Sequence, residues 1–474
     1  MRIVSGKGKE TVSEADSRRL VNEAPAVAGM MSTVIDAGGS LDTAVRDIAR
    51  NGPACSRRLF GEVVFAADTR EARDIRTGLS GMLMRLPAAA VSYRRSMQMM
   101  IAASESGDGN ERKRMLKDAA DLALAGLKEA GEAYGASLNT PCMVVFGLGI
   151  MVPMILMSIL PMLNLGGMFG RSPISPAALS AITLIVIPAA IATVILSIKE
   201  SNPFMSAADE KADLRYVMPF IGAAAIAFLI HSRTGSLELS VTSAFAVVGA
   251  VMYAVMRPEA GREKVRAEQE ACLKDSVFEL GNRLSSGENF ENAVVAAVGI
   301  KKECVPLADA LRNEMLMCRG DCCAAVDTVI GGISPTVSGF VCDIHRCSRK
   351  DIRDAGRLAI SLGRQLQDQE TVRKGIGNKL KGMVDMMTGT AMLFAPLVLG
   401  MSVAMLRPLA DLVGGGAGDT AAILVVYLIE LCVLTAFLTA YLKGDPGFKG
   451  IMRRIAVALP VSLSVFHLCT SIAF

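Results

Sequence analysis

The chain has no tryptophan, only three histidines and 5% aromatic residues in 474 positions. Without Trp, any interfacial belt in a membrane must rest on Tyr. Tyr216, Tyr253 and Tyr441 each stand near the end of an apolar stretch, as such anchors do. The polar parts have no useful length of alternating apolar and polar residues, which argues against a β-rich soluble domain. Net charge is +4, too small to point to nucleic acid, so none is expected as a partner. The opening stretch MRIVSGKGKETVSEADSRRL has no apolar core. The expectation is therefore no cleavable signal peptide and an N-terminus that stays in the cytoplasm. Catalytic signatures are also missing: there is no G-x-x-x-x-G-K-[ST] phosphate loop, H-E-x-x-H or G-x-S-x-G, and GGGAGDT (Gly414 to Thr420) lacks the lysine. No enzymatic activity, catalytic residue or cofactor is expected.

What the chain does have is hydrocarbon in blocks. The hydrophobic fraction is 51% beside 20% charged residues, and mean hydropathy is +0.41, a mixture that fits a protein part soluble and part membrane-embedded. Residues 1–140 are polar and helix-like, 141–256 mostly apolar, 257–383 charged again, and 384–474 apolar. A bilayer core of roughly 30 Å takes about 20 apolar residues as a helix. Seven stretches approach that length: 143–164, 177–197, 215–231, 239–256, 384–406, 420–442 and 453–473. The third and fourth are short and rich in Ala and Gly, so a re-entrant pair is the alternative there.

Loop charge orients these spans. Lys199, Lys211 and Arg215 follow the second, Arg257, Arg262, Lys264 and Arg266 the fourth, and Lys443, Lys449, Arg453 and Arg454 separate the last two. The opposite loops carry little beyond Arg171, Arg233 and Arg407. Both charged blocks are therefore expected on the cytoplasmic side of a multi-pass protein of the cell membrane, with the C-terminus outside. Four intervening spans return the chain to the same side, which agrees.

The charged blocks resemble each other. Val27, Met30, Met31, Val34 and Ile35 keep helical spacing up to Gly38, and Leu41, Ala44, Val45 and Ile48 follow Ser40 on one face of a second helix. In the second block Val277, Leu280 and Leu284 lead to Gly287, followed by Phe290, Ala293, Val294 and Ala297. AGGSLDTAV (Ala37 to Val45) thus aligns with SGENFENAV (Ser286 to Val294), and Cys55 and Cys304 keep the same offset. Each hairpin leads through charged helices to a span with internal prolines, Pro153 and Pro161, then Pro396 and Pro408. That order, present twice, predicts a duplicated all-helical module.

A helix, a glycine and then a small amphipathic helix of the form G-x-[SL]-x-x-A resembles the F-domain of type II secretion systems. The same family includes the inner-membrane platform proteins of type IV pili, tight-adherence pili and archaeal flagella. MVVFGLGIMVPMILMSILP and AMLFAPLVLGMSVAMLRP are similar to its proline-containing first spans. Four spans between the blocks and three after them look more like archaeal members. The resemblance implies a non-enzymatic, oligomeric platform that couples a cytoplasmic secretion ATPase to the lifting of pilin-like subunits out of the bilayer. The fold expected is an all-α integral membrane protein, with two duplicated cytoplasmic helical bundles and about seven transmembrane helices. The alternatives are a secondary transporter, which predicts inverted repeats among its spans, and a membrane-anchored signalling protein.

Three groups of residues merit attention. Arg353, Arg357 and Arg364 recur near one face of a basic helical stretch, and Lys443, Lys449, Arg453 and Arg454 form a second basic group. Either group can dock the ATPase or pair with anionic lipid. Glu430 lies well inside the sixth apolar stretch, and His467 falls at similar depth on the next, so a hydrogen bond between them is expected; contact of Glu430 with an incoming subunit is the sharper alternative. Eleven cysteines include a cluster of Cys318, Cys322, Cys323, Cys342 and Cys347 around His345. These are ligands that zinc or an iron–sulfur cluster accepts, but their spacing lacks the usual C-x2-C pairs, so reduced, buried thiols are the alternative.

Overall fold

The computed structural model of the chain describes residues 14–156, 180–202, 237–318, 321–413, 417–444 and 447–471, with isolated positions at 204, 219, 222 and 227. Every regular element among them is helical. In chain order these are α1 (Glu14–Asp36), α2 (Leu41–Asn51), α3 (Ala54–Asp68), α4 (Ile75–Met84), α5 (Val91–Glu105), α6 (Gly109–Ser137) and α7 (Asn139–Phe146). There follow α8 (Ile187–Ser201), α9 (Leu237–Ser285), α10 (Phe290–Val298), α11 (Val305–Met317), α12 (Cys322–Val326) and α13 (Pro335–Ser348). The last four are α14 (Ile352–Gly389), α15 (Ala395–Val413), α16 (Ala417–Lys443) and α17 (Phe448–Ser471). The chain divides into two compact units, each built from two separate stretches: Met1–Glu132 with Gly261–Ile376, and Ala133–Ala260 with Gly377–Phe474.

In the first unit, residues of both charged blocks share one continuous core. Leu20, Met31, Ile48, Phe60 and Tyr93 belong to it together with Val277, Phe290, Leu311, Phe340 and Leu362. Across the blocks, α13 packs against α1 and α2. Local rules start the helices. Ser40 Oγ accepts from Thr43 N at 3.2 Å, Asp74 Oδ1 from Thr77 N at 2.6 Å, and Asp351 Oδ1 from Arg353 N at 2.7 Å. Helix α3 begins after Pro53 with no cap of its own. Glu23 of α1 fills that role, accepting from the amides of Cys55 (3.0 Å) and Ser56 (2.7 Å) and from Ser56 Oγ (2.7 Å). A carboxylate at a helix N-terminus meets both the orphan amides and the positive end of the dipole.

The two hairpins close in the same way. The amides of Ala37, Gly38 and Gly39 bond to the carbonyls of Thr33, Ile35 and Val34, and those of Ser286, Gly287 and Glu288 to Asn282, Leu284 and Arg283. Each residue of the second set lies 249 positions after its counterpart. Gly38 has φ +79 and Gly287 φ +91, the left-handed conformation that ends a helix in a Schellman motif. Further along, the Cys55 amide donates to Glu23, and at the same offset Cys272 neighbours Cys304, whose thiol is pushed up by burial and by Cys272.

The second unit carries the apolar stretches. Six helices are long and apolar enough to cross a membrane, at 109–156, 182–201, 240–285, 352–405, 421–443 and 448–471. They fall on six of the seven stretches expected, with 157–164 of the first and 177–179 of the second outside the described residues; the third, 215–231, lies outside them except for isolated positions. Large apolar side chains stay exposed along them, including Ile185 at 66%, Val247 at 63% and Leu393 at 56%. Faces of this kind are stable in lipid and costly in water. The chain is a multi-pass membrane protein. Three π-turns interrupt these helices, at Gly147–Met151, Ile182–Val186 and Thr390–Phe394. Each ends two residues before a proline, Pro153, Pro188 or Pro396. Proline supplies no N–H and crowds the carbonyl four residues earlier, so the helix widens there. The carbonyl of Gly149, four before Pro153, accepts from Tyr427 OH of α16 at 2.6 Å. Pro161 and the side chain of Pro408 lie outside the described residues.

Candidate functional site

The two basic groups occupy different units. In the first unit, Arg357 and Arg364 line a cleft of about 520 Å3 between α1, α6 and α14. Lys113 and Lys117 of α6 join them, with Asp36, Asp121 and Asp368 interspersed and Leu116 and Ile360 as apolar lining. Arg357 Nη1 also pairs with Asp354 Oδ1 at 3.3 Å. Arg353 stays outside the cleft, in the first turn of α14, where its amide is held by Asp351. Asp36 Oδ1 is buried without a hydrogen-bond partner. The sequence reading found the α14 arginines and missed the lysines. Their i, i+4 spacing in ERKRMLK was visible, but not the packing that carries it to α14.

In the second unit, Arg453 and Arg454 line a cavity of about 390 Å3 with Arg257 and Tyr253. Lys443 and Lys449 are not among its lining residues. At the end of α16 Tyr441 is anchored, with Lys199 Nζ 5.5 Å from its ring centre and its carbonyl accepting from Asn202 Nδ2 at 2.5 Å.

The expected hydrogen bond between Glu430 and His467 is not formed. Glu430 Oε2 and His467 Nδ1 are both buried without a partner, although α16 and α17 pack together. Glu430 lies three residues after Tyr427, whose hydroxyl bonds to Gly149. That spacing places Glu430 on the side of α16 facing the first apolar helix.

The cysteines are free thiols, and among the described residues no three His, Cys, Asp or Glu side chains come together as a metal-binding group. Cys318 Sγ donates to Glu314 Oε1 at 3.7 Å and Cys322 Sγ to Glu291 Oε1 at 3.8 Å, while the His345 ring packs on Phe290 with centres 4.6 Å apart. Burial, with Arg349 nearby, lowers the His345 pKa. Cys347, at the end of α13, has its thiol pushed up by burial. Cys323 and Cys342 approach closely, each Sγ within 3.9 Å of the other's carbonyl oxygen. With Cys342 beside it and Arg346 nearby, the Cys323 thiol is held down at about 7, while Cys342 itself is pushed up. The group therefore separates into pairs within a helical core. Comparison of the chain with family models, curated proteins and solved structures gave no match.

Proposed function

We infer that the chain is an assembly platform: a membrane scaffold that couples a cytoplasmic secretion ATPase to the insertion of pilin-like subunits into a filament, as in type II secretion and type IV pilus-like machines. The observation that carries this reading is the pair of Schellman-closed hairpins at one constant offset, joined in a single helical core, in a chain that also has six apolar helices. A duplicated module on the cytoplasmic face, with the C-terminus outside, accounts for these features. The protein then acts as a homo-oligomer and leaves ATP hydrolysis to its partner. Its mixed-charge cleft at Arg357, Arg364, Lys113 and Lys117 suits the edge of a protein partner, and charge there speeds docking more than it tightens it.

The test is co-purification of the full-length chain with the secretion ATPase from its own cells. Capture at low salt, weakened by Arg357→Glu with Arg364→Glu, is expected. Failure to capture the ATPase at any salt, with the chain intact, overturns the reading. One observation favours a secondary transporter instead, namely the buried, unpartnered Glu430 and His467. Solute uptake into vesicles that Glu430→Gln abolishes decides for that alternative.

A further inference from the structure

We propose that the cavity at Arg257, Arg453 and Arg454 binds the headgroup of an anionic phospholipid. It is lined from α9, α14, α16, α17 and the π-turn before α15, all within the second unit. Three arginines are among its described lining residues, and no aspartate or glutamate is. The remainder is Tyr253, threonine or apolar, including Ala391, Met392 and Val457.

The threonines do not supply the donors. Thr388 Oγ1 donates to Val384 O at 2.7 Å and Thr435 Oγ1 to Leu431 O at 2.8 Å. Thr439 Oγ1 donates to Ala436 O at 3.0 Å and accepts from Arg454 Nη1 at 3.1 Å. Their hydroxyl protons are spent on their own helices, and Thr439 fixes the Arg454 guanidinium in place. The cationic donors of the lining are therefore its arginines, whose guanidinium N–H groups suit a phosphate oxygen.

The surroundings select a lipid over a free anion. On α9, Val247, Val251 and Val255 are each at least 59% exposed and follow one another at i, i+4 and i+8 toward Arg257. On α17, Val457 and Val461 are exposed one turn apart just after Arg453 and Arg454. Acyl chains lie along such strips while the phosphate sits among the arginines. Tyr253, half exposed beside them, is an interfacial residue.

The experiment uses the purified full-length protein in detergent, probed with phosphatidylglycerol, with phosphatidylcholine of the same chains, and with inorganic phosphate alone. Native mass spectrometry counts retained lipid. Preferential retention of phosphatidylglycerol is expected, falling roughly thirtyfold in apparent affinity in Arg257→Gln with Arg453→Gln, the loss of two interfacial cations. Lys381→Gln, the same type of charge change outside the cavity lining, should leave it intact. Arg257→Gln alone, at an exposed side chain, keeps the test valid where the double variant fails to fold. Equal retention of both lipids, or a loss in Lys381→Gln as large as in the cavity variants, overturns the proposal. So does inorganic phosphate that competes the lipid away at comparable concentration, since the chains would then contribute nothing.

Discussion

Asp343 of α13 has a side chain only 11% exposed, 2.8 Å from Arg346. Burial and the charge of Asp47 from the other block outweigh Arg346 and push its carboxyl from an ordinary 3.8 up to about 7. Between those two values the folded chain holds a proton that the unfolded chain has released. This contribution to stability is therefore fully present below about pH 4 and is lost as pH rises toward 7, with a slope of up to about 1.4 kcal/mol per pH unit. Asp343→Asn should flatten that slope in melting curves taken from pH 5 to 8; an unchanged slope excludes Asp343 as its source. Glu430 gives a second prediction at this scale. A buried carboxyl oxygen without a partner costs stability, so Glu430→Leu should stabilise the protein in detergent by about 1–3 kcal/mol. Under the platform reading proposed above, loss of filament assembly in the same variant at normal protein levels marks the carboxyl as functional. The sequence paired Glu430 with His467 by depth alone, and the pair does not form. Depth leaves rotation about the helix axis free, and on α16 the Tyr427–Gly149 bond helps set that rotation.

Among the elements, the hairpins and spans were legible because their signals are local. Gly38 and Gly287 punctuate helical spacing, and apolar length is countable along the chain. Gly287→Val forces a β-branched residue into the left-handed region and should cost about 1–2 kcal/mol, measurable as a lowered melting temperature; Glu288→Val, in the same turn, is the comparison. The π-turns were not legible. Prolines in apolar stretches predict some disturbance, but its form depends on which neighbour satisfies the freed carbonyl. For Gly149 that neighbour is Tyr427, 278 residues away. Tyr427→Phe should lower stability by about 1 kcal/mol, and an unaltered melt in that variant removes the hydroxyl from the account. The cysteine spacing, read as either a metal site or buried thiols, could not reveal that Cys323 pairs with Cys342 while His345 packs on Phe290.

For the whole molecule, the two charged blocks were visible as composition, but their common core was not, because packing between distant stretches leaves no periodicity. That core makes a definite prediction. Residues 14–132 expressed alone lose the α13 face that packs on α1 and α2, so this fragment should aggregate or melt non-cooperatively. Co-expression with residues 261–376 should yield a soluble, cooperatively melting complex by size exclusion and calorimetry. A monomeric, cooperatively folded 14–132 fragment contradicts the shared core.

The same arrangement sets a timetable for synthesis. Glu132 and Gly261 belong to one body but leave the ribosome far apart. At about 5–20 residues per second, the first block waits roughly ten seconds for its mate while greasy helices are threaded into lipid. During that interval its sticky side is bare. A cell that makes this protein must shield the nascent half with a chaperone, or accept that slowed translation between the halves sends it to proteolysis.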